Sequence, residues 1–430
     1  MLTATHRYPG IVAKGHVFDV PLDHNQPDAR RISIYARELV APGRADDTLP
    51  YLVYLQGGPG FESPRPLTRS GWIKRALEDY RVLLVDQRGT GHSAPVCHRT
   101  LAHLERPAEQ AEYLSHFRAD AIVGDLERIR HALIGPDETW TLLGQSFGGF
   151  CAVRYLSAAP EGLTAALMTG GLPPLYGHPD RVYEATYRRV LRRNDRYYAR
   201  YPEDVAHVRR IVEHLRAHPT NLPGGTLSSV RVFQQLGTRF GMSDGFEDLH
   251  YLLEGAFIEG PHGPELSHRF LRGVESRLPF DTHPIYALLH EAIYCQGEAS
   301  NWSAHRVAAK LDAFKDDGVG RFNFTGEMVY PWMFADYRHL QPLAEAADIL
   351  AMRTDWPALY DLDVLAQNRV PCAAVVYDDD MYVERTFSAE TADAIGNMRT
   401  WVTNEFDHNG LRTAGPRILD YLLDLISGER

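Results

Sequence analysis

The sequence predicts an α/β fold in which a mostly parallel sheet is interrupted by a long helical insertion. Three observations carry this. Four short apolar runs end in glycine-rich turns, as buried parallel strands do. From about residue 176 to 367 such runs become rare, and amphipathic stretches rich in Arg, His, Tyr and Glu take over. Strand character then returns at residue 372. At 430 residues the chain is roughly three times the size of a typical domain, which suits a core carrying an insertion. The expected division is 1–175 for the first part of the core, 176–367 for a helical cap and 368–430 for the second part of the core.

Taken in order, residues 11–20 and 31–38 alternate apolar and polar side chains, as antiparallel edge strands would, with PLDHNQPDAR as their connection. The apolar runs are Tyr51 to Leu55, Val82 to Val85, Trp140 to Leu143 and Ala165 to Thr169. They close in QGGPG, DQRGTGHS, GQSFGG and GGLPP respectively. A charged helical stretch, Ala108 to Leu133, lies between the second and third. After the insertion, Cys372 to Tyr377 and Arg399 to Thr403 read as strands, and Gly415 to Ser427 as a closing helix.

Composition narrows the function. Hydrophobic residues make up 44% of the chain and charged residues 23%, ample for a buried core. A net charge of −11 disfavours a nucleic-acid binder held by a basic surface. The N-terminus lacks the basic and apolar regions of a signal peptide, and no apolar run approaches the roughly 18 residues of a membrane helix. Cys97, Cys151, Cys295 and Cys372 stand far apart, without the spacing of a disulfide framework or a zinc site. No H-E-x-x-H occurs. The expectation is a cytoplasmic enzyme that uses no metal and no cofactor; oligomeric state is not readable.

The central chemical signal is Gly144-Gln145-Ser146-Phe147-Gly148, a G-x-S-x-G between a strand run and a helix. A nucleophile elbow needs that context: the serine sits on a strained turn, and small flanking residues let strand and helix approach. An acid and then a histidine should follow, each in a loop after a later strand. Asp378, Asp379 and Asp380 follow the first such strand, and the residues alone leave the acid open among them. His408 stands about five residues beyond the second strand, placed to take a proton from Ser146 and return it to a leaving amine. An oxyanion needs two backbone N–H donors, and Phe147 and Gly58, the latter in the Gln56 to Gly60 turn, fit that demand. Asp86 and Arg88 read as structural residues that hold loops beside the site.

QGGPG, DQRGTGHS, GQSFGG, YDDDMYV and EFDHNG, in this order and spacing, resemble the prolyl aminopeptidases (proline iminopeptidases) of the α/β-hydrolase fold, serine peptidase family S33. The cap length and the segment TGEMVYPWM resemble the larger bacterial form. One departure is Gln56, where shorter members carry histidine. The resemblance implies release of N-terminal proline from short peptides, with no metal, nucleic acid or membrane involved. It selects Asp380, beside Met381, as the acid, with Asp379 second. It also implies two cap glutamates that bind the substrate's imino group. Glu291, in a Glu-x-x-Tyr segment ending at Tyr294, and Glu327 are the matches. Among Tyr330, Trp332 and Phe334, Trp332 is the expected contact for a prolyl ring. The alternative within the fold is an esterase or amidase acting on small substrates; a non-catalytic binding protein is the reading from another class.

Overall fold

The computed structural model describes residues 2–430. Eleven strands occur among them: β1 (Leu2–Tyr8), β2 (Ile11–Pro21), β3 (Arg31–Val40), β4 (Tyr51–Leu55), β5 (Arg81–Val85), β6 (Trp140–Gln145), β7 (Leu163–Thr169), β8 (Phe257–Gly260), β9 (Gly263–Leu266), β10 (Cys372–Tyr377) and β11 (Met398–Thr403). Nine of them form one sheet in the order β1-β2-β3-β5-β4-β6-β7-β10-β11. The first three pair antiparallel, β3 meets β5 antiparallel, and every later pair is parallel. The fold is therefore an α/β-hydrolase sheet, mostly parallel, with an antiparallel edge.

Alternation along the central strands divides the core. Val53 and Leu55 of β4 face one side, against Leu126 and Leu156 of the helices Ala119–Leu133 and Phe147–Ala158. Leu52 and Tyr54 face the other, against Trp72 and Leu422 of the helices Gly71–Asp79 and Gly415–Ser427. A sheet covered on both faces explains why its central strands read as unbroken apolar runs. Between β7 and β10 lies the insertion, mainly helices, beginning with the long helix Pro179–Arg200.

Three details differ from the sequence reading. The outermost strand is β1, whose mostly exposed residues Leu2 to Tyr8 carry no burial alternation to betray it. The stretch 108–133 is two helices, Pro107–Ser115 and Ala119–Leu133. At their junction the buried Arg118 guanidinium donates to the carbonyls of Ala292 (3.1 Å), Cys295 (2.8 Å) and Pro357 (2.9 Å), tying core to insertion. The insertion also holds a small hairpin, β8–β9, too short and too exposed to register as strand. Among the described residues no helix is long and apolar enough to cross a membrane.

Candidate active site

The chain runs from β4 to β5 on one side and then to β6 on the other, so strand order reverses between β4 and β6. Crevices at such switch points, beyond the carboxyl ends of the strands, are where open α/β sheets bind ligands. The turns after β4 and β6 carry Gly57-Gly58 and Ser146.

Ser146 has φ 54° and ψ −124°, a left-handed backbone held between β6 and the helix Phe147–Ala158. Strain of this kind in a non-glycine residue persists only where the surroundings over-determine it. Here the neighbours must be glycine. A Cβ on Gly148 would sit 2.0 Å from the Leu55 carbonyl oxygen, and one on Gly144 would sit 2.4 Å from that of Gly148. The Phe147 N–H belongs to the first turn of its helix, where backbone donors point away from the helix toward negative charge. Gly57 packs directly against the nucleophile turn: a Cβ there would lie 2.9 Å from Ser146 Cβ. Gly58 follows with φ +134°. Gly57 was not singled out by sequence, since either glycine satisfies the motif.

Asp380 and His408 form the second half of the site. His408 Nδ1 lies 2.7 Å from Asp380 Oδ2, and Asp380 Oδ1 accepts the N–H groups of Tyr382 (2.8 Å) and Val383 (3.1 Å). The pair is buried, at 6% and 1% exposure. Its neighbours in the triplet point elsewhere: Asp378 pairs with Arg385 at 2.7 Å and Asp379 with Arg196 at 2.8 Å. Burial pulls the His408 pKa down, but the Asp380 carboxylate, followed by Glu327 and Asp407, outweighs it and holds the imidazole above its ordinary value. Ser146 and His408 share neighbours. Ser146 N–H donates to the Thr169 carbonyl (3.0 Å), a Cβ on the adjacent Gly170 would lie 3.2 Å from His408 Nδ1, and Gln145 Nε2 lies 3.4 Å from His408 Nε2. A serine, an imidazole and an oriented carboxylate so placed are the parts of nucleophilic acyl transfer.

The insertion supplies a wall of aromatic and acidic side chains. Glu327 accepts from the Tyr286 hydroxyl and lies 3.5 Å from His290 Nε2. After burial, the Glu327 charge contributes most to raising the pKa of the Tyr294 and Tyr382 phenols, so it lies among these rings and His408. Glu291 is held differently. Its two oxygens accept the N–H groups of Ser303 (3.0 Å) and Ala304 (2.8 Å), and burial raises its pKa. Tyr294 feels both charges. Trp332 has other neighbours. It stacks on Tyr330, lies under the Arg231 guanidinium at 4.8 Å, and lines a hollow whose walls come wholly from the insertion, without Ser146, Asp380 or His408. It caps the helix Met333–Asp336, whose own Met333 and Phe334 take the buried positions.

Residues 50–217 match the family described as alpha/beta hydrolase fold. The proline iminopeptidase of Aeromonas sobria is 51% identical over 417 residues, covering 97% of each chain. The chain belongs to the proline iminopeptidase family. The proline iminopeptidase aneH of Aspergillus aculeatus is 35% identical, covering 95% of this chain and 92% of its own.

In this family member the insertion also grips the two loops that carry Asp380 and His408. Arg189, Arg193 and Arg196 recur at helical spacing on Pro179–Arg200, so they share one face. Arg189 donates to the Asp378 carbonyl (3.1 Å) and pairs with Glu384 (2.6 Å). Arg193 donates to the Asp379 carbonyl (2.9 Å) and pairs with Asp407, bridging the residues that directly precede Asp380 and His408. The His408 N–H itself donates to the carbonyl of Gly241, in the insertion, at 3.1 Å. None of these contacts is legible in sequence, where the arginines belong to an amphipathic stretch without distinction. Arg193→Ala is expected to lower kcat about 10- to 100-fold, the scale of a misplaced catalytic group, with little change in KM. Arg193→Lys should recover part of the loss. A fall in melting temperature with kcat intact would show that Arg193 holds the insertion in place without aligning the site.

Proposed function

We propose that the protein is a serine aminopeptidase that releases N-terminal proline from short peptides through an acyl-enzyme. Ser146 Oγ attacks the carbonyl carbon of the first residue while His408 Nε2 takes its proton. The N–H groups of Phe147 and of the Gly57-Gly58 turn, with Gly58 the expected donor, receive the oxyanion. The C–N bond then breaks, with the proton passing from His408 to the departing amine. Water activated by the same imidazole attacks the prolyl-serine ester and frees proline. Asp380 holds Nδ1–H and offsets the charge of the imidazolium.

The observation that carries the exopeptidase part is Glu327, a carboxylate largely enclosed by aromatic rings and close enough to His408 to raise its pKa. A prolyl N-terminus is a secondary amine, protonated at neutral pH. Burying it unpaired is costly, and an adjacent carboxylate offsets that cost. An N-acylated substrate brings no charge and leaves the carboxylate unpaired. Tyr294, whose phenol feels the charges of both Glu327 and Glu291, would form the wall against which the ring rests. The names of the full-length relatives support proline as the residue removed.

The test is a panel of aminoacyl-naphthylamides with free and blocked N-termini: only the free prolyl compound should turn over efficiently, whereas equal rates on blocked and free compounds would favour the esterase or amidase reading. Glu327→Gln should lower kcat/KM on the free prolyl substrate by about 2–5 kcal/mol, as for truncated buried charge pairs. It should also move the acid limb of the pH profile downward. His408 must be neutral to act as base, its pKa is held up in part by Glu327, and removing that charge lets the pKa fall toward the ordinary value near 6.5. Glu291→Gln has a further consequence. One of its two backbone N–H partners would face an amide NH₂ instead of an acceptor, so stability should drop by roughly 1–3 kcal/mol, visible in denaturant melts. An unchanged pH profile in Glu327→Gln would place that carboxylate outside the site.

A further inference from the structure

A cavity of about 480 Å³ opens beside His408, within the roughly 300–1,000 Å³ range of small-ligand sites. It is lined by His408 and Gln145, by Gln56 and Trp72 of the core, by Met242 of the insertion, and by Arg412 on the short helix Gly410–Thr413 just beyond His408. Gln145 Nε2, 3.4 Å from His408 Nε2, brings the cavity wall to the nitrogen that handles the proton. Glu327 and Tyr294 do not line it. A leaving amine must lie within reach of His408 Nε2 to collect its proton. The acyl part of the substrate is accounted for by Glu327 and the aromatic wall, so the departing part must extend elsewhere from that nitrogen.

We propose that this cavity is the subsite for the departing peptide, and that Arg412 at its rim binds the C-terminal carboxylate of a short one. The proposal rests on the acyl-transfer reading of Ser146 and His408. The lining suits a peptide segment. Trp72, Met242 and their apolar neighbours Ile73 and Leu411 offer surface for a side chain, and the amides of Gln56 and Gln145 offer hydrogen bonds to its backbone. The Tyr54 hydroxyl donates to Gln56 Oε1 at 2.6 Å, which orients that amide with its NH₂ group as the donor for a carbonyl. Two arginines stand at the cavity, but they differ. Arg65 is paired in bidentate fashion with the fully buried Asp86, at 2.8 and 2.5 Å, so its charge is already committed. Arg412 meets Asp244 at 3.1 Å with both side chains mostly exposed, a pairing that a substrate carboxylate can exchange into. A dipeptide or tripeptide would then be read at both ends, its ammonium at Glu327 and its carboxylate at Arg412.

The experiment compares prolyl-leucine with its C-terminal amide, using prolyl naphthylamide to report the chemistry itself. Wild type should favour the free acid by about three- to fivefold in kcat/KM at low ionic strength, the scale of an exposed ion pair, and salt should erode the preference. In Arg412→Gln the acid-to-amide ratio should fall to about one. Ser70→Trp, an exposed position on the cavity wall, should slow a prolyl tetrapeptide about tenfold relative to prolyl methyl ester, whose leaving group needs no cavity. A wild type active on the naphthylamide but without acid preference, or an Arg412→Gln ratio equal to that of wild type, overturns the carboxylate assignment. Equal slowing of tetrapeptide and methyl ester by Ser70→Trp overturns the subsite. A wild type inert on the naphthylamide overturns the acyl-transfer reading and this proposal with it.

Discussion

Ser146→Ala is expected to fold as the wild type does and to lose about a thousandfold or more in kcat, the consequence of removing a triad nucleophile. Alanine keeps the Cβ that the turn already accommodates at φ 54°, so the packing of Gly144, Gly148 and Gly57 around it is undisturbed. The backbone donors and the Asp380–His408 pair remain, so residual activity is what positioning and oxyanion stabilisation supply without a nucleophile. Circular dichroism and a melting curve check the fold, and single-turnover kinetics on prolyl naphthylamide check the chemistry. Turnover near the wild-type rate would remove Ser146 from the mechanism. Labelling by a fluorophosphonate gives an independent readout: the wild type should be modified and the alanine variant should not.

Asp380→Asn is expected to lose several orders of magnitude, about 10⁴-fold where a triad acid loses its charge and inverts the tautomer. The geometry dictates the failure. The side-chain oxygen of asparagine must stay toward the N–H groups of Tyr382 and Val383, which donate to Asp380 Oδ1. The NH₂ group then faces His408 Nδ1, which can only accept, so the ring proton moves to Nε2 and the base is no longer available to Ser146. Asp378→Asn and Asp379→Asn should be mild by comparison, because those carboxylates meet Arg385 and Arg196 at positions half-exposed to solvent. A mild Asp380→Asn beside a severe Asp379→Asn would shift the acid by one residue.

The triplet shows how far sequence reaches. Three consecutive aspartates after a strand are indistinguishable by type and period, and the resemblance to the family chose among them. In the structure, β10 ends at Tyr377 and the chain turns so that only the third aspartate is carried inward. The cap glutamates make the same point at longer range. Both were picked by motif, yet one oxygen of Glu327 meets Tyr286 and the other approaches His290, while Glu291 binds the backbone of Ser303 and Ala304. Trp332 was picked for its ring and lies in a hollow of the insertion, because the short helix it begins turns Met333 and Phe334 inward instead. Nothing local marks Arg193, Gln145 and Gly57, because arginine on a helix, glutamine before a serine and one glycine of a pair have ordinary local explanations.

What the sequence by itself determined was every element whose signal is local. Buried strands are apolar runs ended by glycine, and amphipathic helices repeat at their own period. A nucleophile elbow needs small residues on both sides, because backbone sterics act between near neighbours. The placement of Ser146 after β6, the aspartate triplet after β10 and His408 after β11 follows from the same local signals, read in order. Only the tertiary structure decided which side chains converge. His408 meets Asp380 across 28 residues, Gln145 across 263, and the Arg193 clamp spans 186 to Asp379 and 214 to Asp407. Such contacts depend on how the insertion packs over the sheet, and no periodicity within either segment records the distance between them.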